Sequence, residues 1–214
     1  MNIKWFAALA VFAAFQGCSN PQQASQDNFK QSVQAYLDKA YPRCYFTENF
    51  PVTTGPGPMS SDEGILRLLA KSGLLEEKDT GAKKPAASGG FGFDAGAKTV
   101  PVYACDLTEE GRKYYTPEAE TRMGGNKVGG FCFGKAKVLS IDPFTEPGDA
   151  MGQKVARVSY AYSVGGFPEW AKDGQLKSAL KGLKADVESD SNPIKESRDL
   201  VLTGNGWVLE GFVK

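Results

Sequence analysis

Apolar residues at helical spacing predict two helices in the first third of the chain. The first, over residues 27–40, has its apolar positions at Phe29, Val33, Tyr36, Leu37 and Ala40. Pro42 ends this pattern, because proline cannot continue a helix. A second helix is expected to start at Ser60, with Glu63 as the partner in a capping box and Gly73 at its end. Its apolar stripe is Ile65, Leu68 and Leu69.

Alternating apolar and polar residues predict an antiparallel sheet in the second half of the chain. The predicted strands are residues 131–142, 154–164, 198–203 and 206–213. Turn-forming residues 143–152 separate the first two strands, and Gly204-Asn205 joins the last two in a tight hairpin. Between the two hairpins, residues 167–183 predict one or two short helices.

Irregular segments separate these two regions. Residues 49–60 are rich in proline and glycine and predict a loop. Lysine and glycine dominate residues 78–90, which are expected to form an exposed hairpin tip or a mobile loop before a strand at 99–107. Helices early and an antiparallel sheet late indicate the α+β class. The predicted parts are a helical region over 27–123 and a sheet region over 124–214, or a single packed unit over 27–214.

The first residues of the chain have the pattern of an export signal. Lys4 precedes an apolar run from Trp5 to Phe15, which is too short for a helix across a bilayer core of roughly 30 Å. It fits the apolar region of a secretory signal peptide. Gln16, Gly17 and Cys18 then follow.

A small residue directly before a cysteine at this point resembles the lipobox of bacterial lipoproteins. The resemblance implies that residues 1–17 are a signal peptide and that Cys18 is acylated on its thiol, as with palmitate, and becomes the first residue. Phe15 and Gln16 depart from the lipobox pattern. Residues 18–26 are then the lipidated cysteine and a short, flexible tether of small and polar residues that include a proline. In these lipoproteins an aspartate directly after the modified cysteine favours retention in the inner membrane. Because Ser19 stands there, the resemblance implies an anchor in the outer membrane, with the domain facing the periplasm. An ordinary signal peptide that contains a cysteine near its cleavage site is the alternative.

The charge of the chain argues against a nucleic-acid partner. The sequence has 25 basic and 25 acidic residues, and cleavage before Cys18 would remove only Lys4 from the basic set. DNA-binding and RNA-binding proteins use an excess of Lys and Arg to neutralise phosphates. The predicted partners are the membrane, through the lipid on Cys18, and another envelope protein, peptidoglycan or a small ligand in the concavity of the sheet.

Three cysteines would remain besides Cys18 in an oxidising periplasm. One disulfide and one free thiol are expected among Cys44, Cys105 and Cys132, and three pairings are open. We favour Cys44–Cys132, because it ties the N-terminal helix to a later sheet and closes a long loop. A metal site or a redox pair would need clustered ligands or a CxxC motif, and neither pattern is present. No cofactor is predicted.

The segment "GILRLLAKSGLL", followed after a loop by "VYACDLTEEGRKYY", resembles the last helix and the wing of a winged-helix domain. The matching positions are Ala70, Gly73, Leu74, Leu75, Leu107, Thr108 and Gly111, with Tyr103 or Ala104 matching loosely. In DNA readers of this family a helix enters the major groove. With balanced charge and an export signal, the resemblance implies a scaffold and not a DNA-binding protein.

The order of motifs along the chain also resembles uncharacterised proteobacterial envelope lipoproteins. Those motifs are Cys44 two residues after Pro42, "LTEEG" at 107–111, "FCFG" at 131–134, Trp170-Ala171, and "LTGNGW" at 202–207. The resemblance supports the location and implies Cys44–Cys132 as the disulfide, with Cys105 as the free thiol. It implies no chemical activity.

Candidate catalytic residues are few, because the chain contains no histidine. That absence removes Ser-His-Asp triads, Cys-His pairs and most zinc sites. A hydrolase acting through two carboxylates is the remaining enzymatic alternative, and we considered Glu109, Glu110 and Glu169 for it. Residues 88–97 are glycine-rich but lack the Gly-Lys-Ser/Thr ending of a phosphate loop.

Aromatic residues provide the remaining candidates for a binding site. Tyr160 and Tyr162 share one face of a predicted strand and could line a concave sheet surface, and Trp170 could stack on a sugar. Such residues more often belong to the core. The sequence therefore predicts a lipid-anchored periplasmic protein with a binding or structural role in the cell envelope, and no catalytic residue is assigned.

Overall fold

The computed structural model describes residues 20–54, 62–85, 99–150 and 152–212. In these ranges the strands are β1 Arg43–Thr47, β2 Val52–Thr53, β3 Leu75–Pro85, β4 Thr99–Leu107, β5 Tyr115–Thr121, β6 Lys127–Phe133, β7 Lys135–Phe144, β8 Gly148–Ala150, β9 Gln153–Gly165, β10 Ile194–Thr203 and β11 Gly206–Leu209. The helices are α1 Gln26–Ala40, α2 Glu63–Lys71, α3 Glu109–Tyr114, α4 Gly174–Ala179 and α5 Leu183–Glu188. Two short 3-10 turns lie at Glu169–Lys172 and Glu210–Phe212.

The largest sheet has the strand order β11-β10-β9-β7, and β8 pairs with β9 beyond the end of β7. All of its pairings are antiparallel. Helix α1 lies across one face of this sheet and contacts β7 and β11. The core between them holds Phe29, Val33, Leu37, Val158, Tyr160 and Trp207, among others. The predicted helix over 27–40 and the hairpin at Gly204-Asn205 are confirmed.

Two smaller sheets enclose a second core. Their strand orders are β1-β6-β5 and β2-β4-β3. Helices α2, α4 and α5 contribute to this core together with aromatic residues such as Phe131, Phe133 and Trp170. Strand β6 pairs with β1 on one side and with β5 on the other, so the predicted division at residue 123 falls between two strands that pair with each other.

The predicted α+β class, with a helical N-terminal part that resembles a winged-helix domain, is wrong. Strands dominate the described residues, in antiparallel sheets, and five of the eleven strands lie before residue 123. In a winged-helix domain the helices pack against one another, whereas α1 packs here on the large sheet. For residues 78–90 the sequence predicts an exposed hairpin tip or a mobile loop, and the structure places residues 75–85 in a strand that forms an antiparallel hairpin with β4. The sequence analysis predicts neither of the short strands Arg43–Thr47 and Val52–Thr53, which lie close to Pro42 and Pro51 in the sequence.

Gly134 divides what the sequence pattern predicts as one strand over 131–142. Its φ of +94° is a left-handed conformation that glycine adopts without steric cost. Strand β6 ends directly before it, in the small sheet, and β7 begins directly after it, in the large sheet. The apolar pattern continues through this point, although β6 is buried on both faces whereas the start of β7 buries alternate residues.

A close junction joins the end of α2 to the start of α3. The Thr108 hydroxyl donates to the Gly73 carbonyl at 2.6 Å and accepts from the Gly111 N–H at 2.9 Å, so it caps α3. The Thr108 N–H also donates to the Leu74 carbonyl at 3.1 Å. A β-carbon added at Gly111 would overlap the Leu74 carbonyl oxygen. Thr108 and Gly111 of the motif "LTEEG" are therefore the residues on which this junction depends.

We expect Gly111→Ala to destabilise the protein by about 1–3 kcal/mol, because the added methyl group forces the two backbone segments apart. Gly64 in α2 is the matched control: a β-carbon there meets nothing within 4 Å. Gly64→Ala should stabilise by up to about 1 kcal/mol, through the lower backbone entropy of alanine. Urea unfolding midpoints of both variants measure the difference. Equal stability of the two variants would show that the backbone around Gly111 accommodates the added methyl group with no loss of stability.

Candidate functional site

A groove with a volume of about 920 Å³ lies at the C-terminal end of α1. Its walls are the last turns of α1, the residue pair Tyr41-Pro42, the first residues of β7 and the end of β9. Charged residues of both signs line it: Asp38, Lys135, Lys137 and Asp190. A groove of this size can hold a small molecule or a stretch of a polymer.

Gln34 connects α1 to the edge of the large sheet inside this groove. Its side-chain oxygen accepts from the Val138 N–H at 2.9 Å, and its nitrogen donates to the Ala136 carbonyl at 3.0 Å. The same nitrogen also contacts Asp38 at 2.8 Å. Because β7 is an edge strand, the Gln34 carboxamide takes the place that a peptide group of a further strand would occupy.

Beneath the groove, a buried carboxylate holds the chain around Pro42 in position. Asp186 accepts from the hydroxyls of Tyr45 at 2.6 Å and Tyr41 at 3.1 Å, and from the Arg43 guanidinium at 3.1 Å. The Asp186 side chain is 2% exposed, whereas that of Arg43 is 42% exposed. The Arg43 guanidinium also lies over the Tyr41 ring, 5.0 Å from its centre.

Burial raises the pKa of the Tyr41 and Tyr45 hydroxyls well above the ordinary value, and the Asp186 carboxylate raises both further. Both tyrosines therefore keep their protons at physiological pH and act as hydrogen-bond donors. Burial likewise raises the pKa of Tyr162, whose ring meets that of Tyr41 edge-on.

Ser189 fixes α5, which carries Asp186, to the large sheet. Its hydroxyl donates to the Asp186 carbonyl at 2.6 Å and accepts from the Val164 N–H at 2.8 Å. Ser189 is fully buried. Hydrogen bonds of Asp186 and Ser189 therefore connect helix α5, strand β9 and the start of β1 under the groove.

The aromatic candidates lie outside the groove lining. Tyr160 and Tyr162 are buried under α1, and their hydroxyls donate to Glu196 at 3.1 and 3.3 Å. Trp170 packs edge-on against Phe133 in the second core, and within the described residues its ring N–H has no hydrogen-bond partner. These positions are typical of core side chains.

The acidic candidates are on the surface. The Glu169 side chain is 89% exposed and pairs with Lys172, and Glu110 pairs with Lys113. Within the described ranges, no three His, Cys, Asp or Glu side chains cluster as metal ligands. The glycine-rich residues 88–97, Ser60 and Cys18 lie outside the described residues.

The structure contains the disulfide between Cys44 and Cys132 that the sequence analysis favoured. These residues face each other across the β1–β6 pairing. Cys105 is a free, fully buried thiol, and its burial, followed by the nearby Glu77, raises its pKa. A buried thiol of this kind is a poor nucleophile.

Sequence reasoning missed Gln34 and Asp186, the two residues that organise the groove. Gln34 lies on the polar side of a helix, and Asp186 lies in a short charged helix, so neither position stands out as a polar residue in an apolar pattern.

No protein-family model, curated protein or solved structure matches this chain. Among the helices in the described ranges, none combines the length and the apolar character that a membrane crossing requires.

Proposed function

We propose that this chain is a lipid-anchored protein of the bacterial cell envelope, which faces the periplasm and binds a partner through the groove at the end of α1. The observation that carries the binding role is the groove itself, with the hydrogen-bonded cluster around Asp186 beneath it. The lipobox-like sequence before Cys18 supports the anchor and the location.

The groove favours a polypeptide as the partner. It borders the edge of β7, where the Ala136 carbonyl and the Val138 N–H are bonded by a side chain and not by another strand. An extended peptide that displaces the Gln34 carboxamide can add to this edge through main-chain hydrogen bonds, while nearby pockets select its side chains. Lysines and aspartates along the groove can pair with both charges of a peptide. We therefore propose another envelope protein as the partner.

Photo-crosslinking in cells tests the binding role. A photoreactive amino acid at Lys137, in the groove, is compared with one at Lys154, at the opposite end of β9. We expect a discrete protein adduct only from position 137, with the crosslinked residues of the partner in one contiguous segment. A synthetic peptide with the sequence of that segment should compete with the partner for the groove and reduce the amount of adduct. Equal adducts at both positions, or sedimentation with purified peptidoglycan in place of a protein adduct, would contradict a protein partner.

Metabolic labelling with a fatty-acid analogue tests the anchor. Cys18→Ala should abolish the label, because the thiol that receives the acyl chain is removed. Cys105→Ala is the control, since it also removes one thiol and should leave the label unchanged. Label that persists in Cys18→Ala would contradict the lipid anchor.

A hydrolase acting through carboxylates is the alternative, and the acids available to it in the groove are Asp38 and Asp190. Such an enzyme would release soluble fragments from peptidoglycan, and the double variant Asp38→Asn/Asp190→Asn would lose that release. If the groove only binds a partner, neither the unmodified protein nor the double variant should release peptidoglycan fragments.

A further inference from the structure

The segment that directly follows the proposed lipid site is bound to the folded domain. The Trp207 ring N–H donates to the carbonyls of Gln22 and Gln23, both at 3.2 Å. The Asn28 side chain donates to the carbonyls of Asn20 and Gln23, both at 2.8 Å. Trp207 and Asn28 are 5% and 7% exposed, so water competes little for these hydrogen bonds.

The same segment also contacts the β10–β11 turn. The Gln22 side chain donates to the Gly204 carbonyl at 3.3 Å. A β-carbon on Gly206 would lie 3.0 Å from the Pro21 carbonyl oxygen, so the two backbones pass closely. The described part of the predicted tether, residues 20–25, is therefore a bound part of the domain.

The length of chain that remains between lipid and domain is very short. Two Cα–Cα steps separate Cys18 from Asn20 in the sequence, and at about 3.5 Å per step they span at most roughly 7 Å. A linker this short leaves the domain little freedom to rotate relative to an acyl chain held in the bilayer.

We propose that the end of the domain formed by residues 20–25 and the Gly204-Asn205 turn lies against the membrane surface, and that the groove faces away from it. This inference rests on the proposed lipid anchor. The occupant of this surface is the headgroup layer of the bilayer, because the chain outside the structure leads from it directly to the lipid site. Gln22, Gly204 and Asn205 are polar or small and exposed, which suits contact with headgroups and not insertion among acyl chains.

Helix α1 sets the distance between the two ends of the domain. It starts next to Ser25, whose side chain caps it, and its 15 residues span about 22 Å at a rise of 1.5 Å per residue. Its last residues lead to Tyr41 and Pro42 in the groove wall. The groove therefore lies at most about one helix length of α1 from the membrane surface, on the side that a periplasmic partner can reach.

Spin labels on the lipidated protein in phosphatidylcholine vesicles test this orientation. One label is placed at Asn205→Cys and the other at Lys135→Cys in the groove, and the unmodified protein shows whether buried Cys105 reacts. Relaxation by a lipid-soluble and by a water-soluble paramagnetic agent is then compared. We expect the ratio of lipid-phase to aqueous relaxation to be several-fold higher at position 205 than at position 135.

Intact mass of the same samples separates the two proposals. A protein without acyl groups would contradict the anchor, whereas an acylated protein with equal ratios at both positions would overturn the orientation alone. A variant with six Gly and Ser residues inserted between Ser19 and Asn20 lengthens the link, and we expect it to keep the fold because the insertion precedes the contacts of residues 20–25. Its two ratios should converge, and a difference that survived the insertion would show that the short link does not set the orientation.

Discussion

Replacing Asp186 with alanine is expected to destabilise the protein by about 3–5 kcal/mol. The carboxylate accepts hydrogen bonds from two buried tyrosine hydroxyls and pairs with Arg43. Removing one member of a buried, charged network leaves the remaining groups without partners, and that loss dominates the free-energy change. Urea unfolding monitored by circular dichroism measures the free energy of unfolding.

Asp190→Ala is the matched control, because this aspartate lies four residues further along and its side chain is exposed. Its effect on stability should stay within about 0.5 kcal/mol. Asp186→Asn keeps an acceptor of similar shape but loses the charge, so its stability should fall between those of Asp186→Ala and the unmodified protein. If Asp186→Ala were as stable as Asp190→Ala, the cluster would not support the groove.

Removing the disulfide is expected to cost about 4–5 kcal/mol in the chain-entropy model. The two cysteines are 88 residues apart in sequence, and the bond restricts a loop of that length in the unfolded chain. We expect the double variant Cys44→Ala/Cys132→Ala to unfold at a much lower urea concentration than the unmodified protein. Reductant should lower the midpoint of the unmodified protein and leave that of the double variant unchanged.

Cys105→Ala serves as the control for the disulfide, because it removes a cysteine but keeps the bond. Its unfolding midpoint should remain sensitive to reductant. A midpoint of the double variant that responded to reductant as strongly as that of the unmodified protein would contradict the assignment of the bond.

The placement of the aromatic side chains shows how far a residue pattern alone can lead. Alternation along residues 154–164 correctly predicts that Tyr160 and Tyr162 share one face of a strand. It does not reveal what covers that face, and in the structure α1 covers it. The same limit applies to Trp170, which could be assigned to the core or to a surface only once its neighbours were known.

The error in the fold class has a related cause. Apolar residues at helical spacing give a strong local signal for the two early helices, and this signal leads to a helical prediction for the first half of the chain. Strand β1 carries a weaker signal, because its pairing with β6 joins Cys44 to a residue far along the sequence. Strand pairing depends on such distant partners more than helix formation does.

The sequence by itself determined the features whose causes are local. The period of apolar residues defined α1, and the Gly204-Asn205 turn defined the last hairpin. These features depend on residues a few positions apart, so the interacting residues can be identified from the sequence alone.

Only the tertiary structure decided the groove and its support. Tyr41 and Tyr45 reach Asp186 from 145 and 141 residues away, and Gln34 reaches the edge of β7 across 102 residues. A buried carboxylate and a carboxamide on a strand edge become recognisable only when such distant segments meet. The hydrogen bonds of Asp186 and Gln34 stabilise the fold because folding buries these side chains and brings their partners to them. The residues next to them in the sequence give no sign of that burial or pairing.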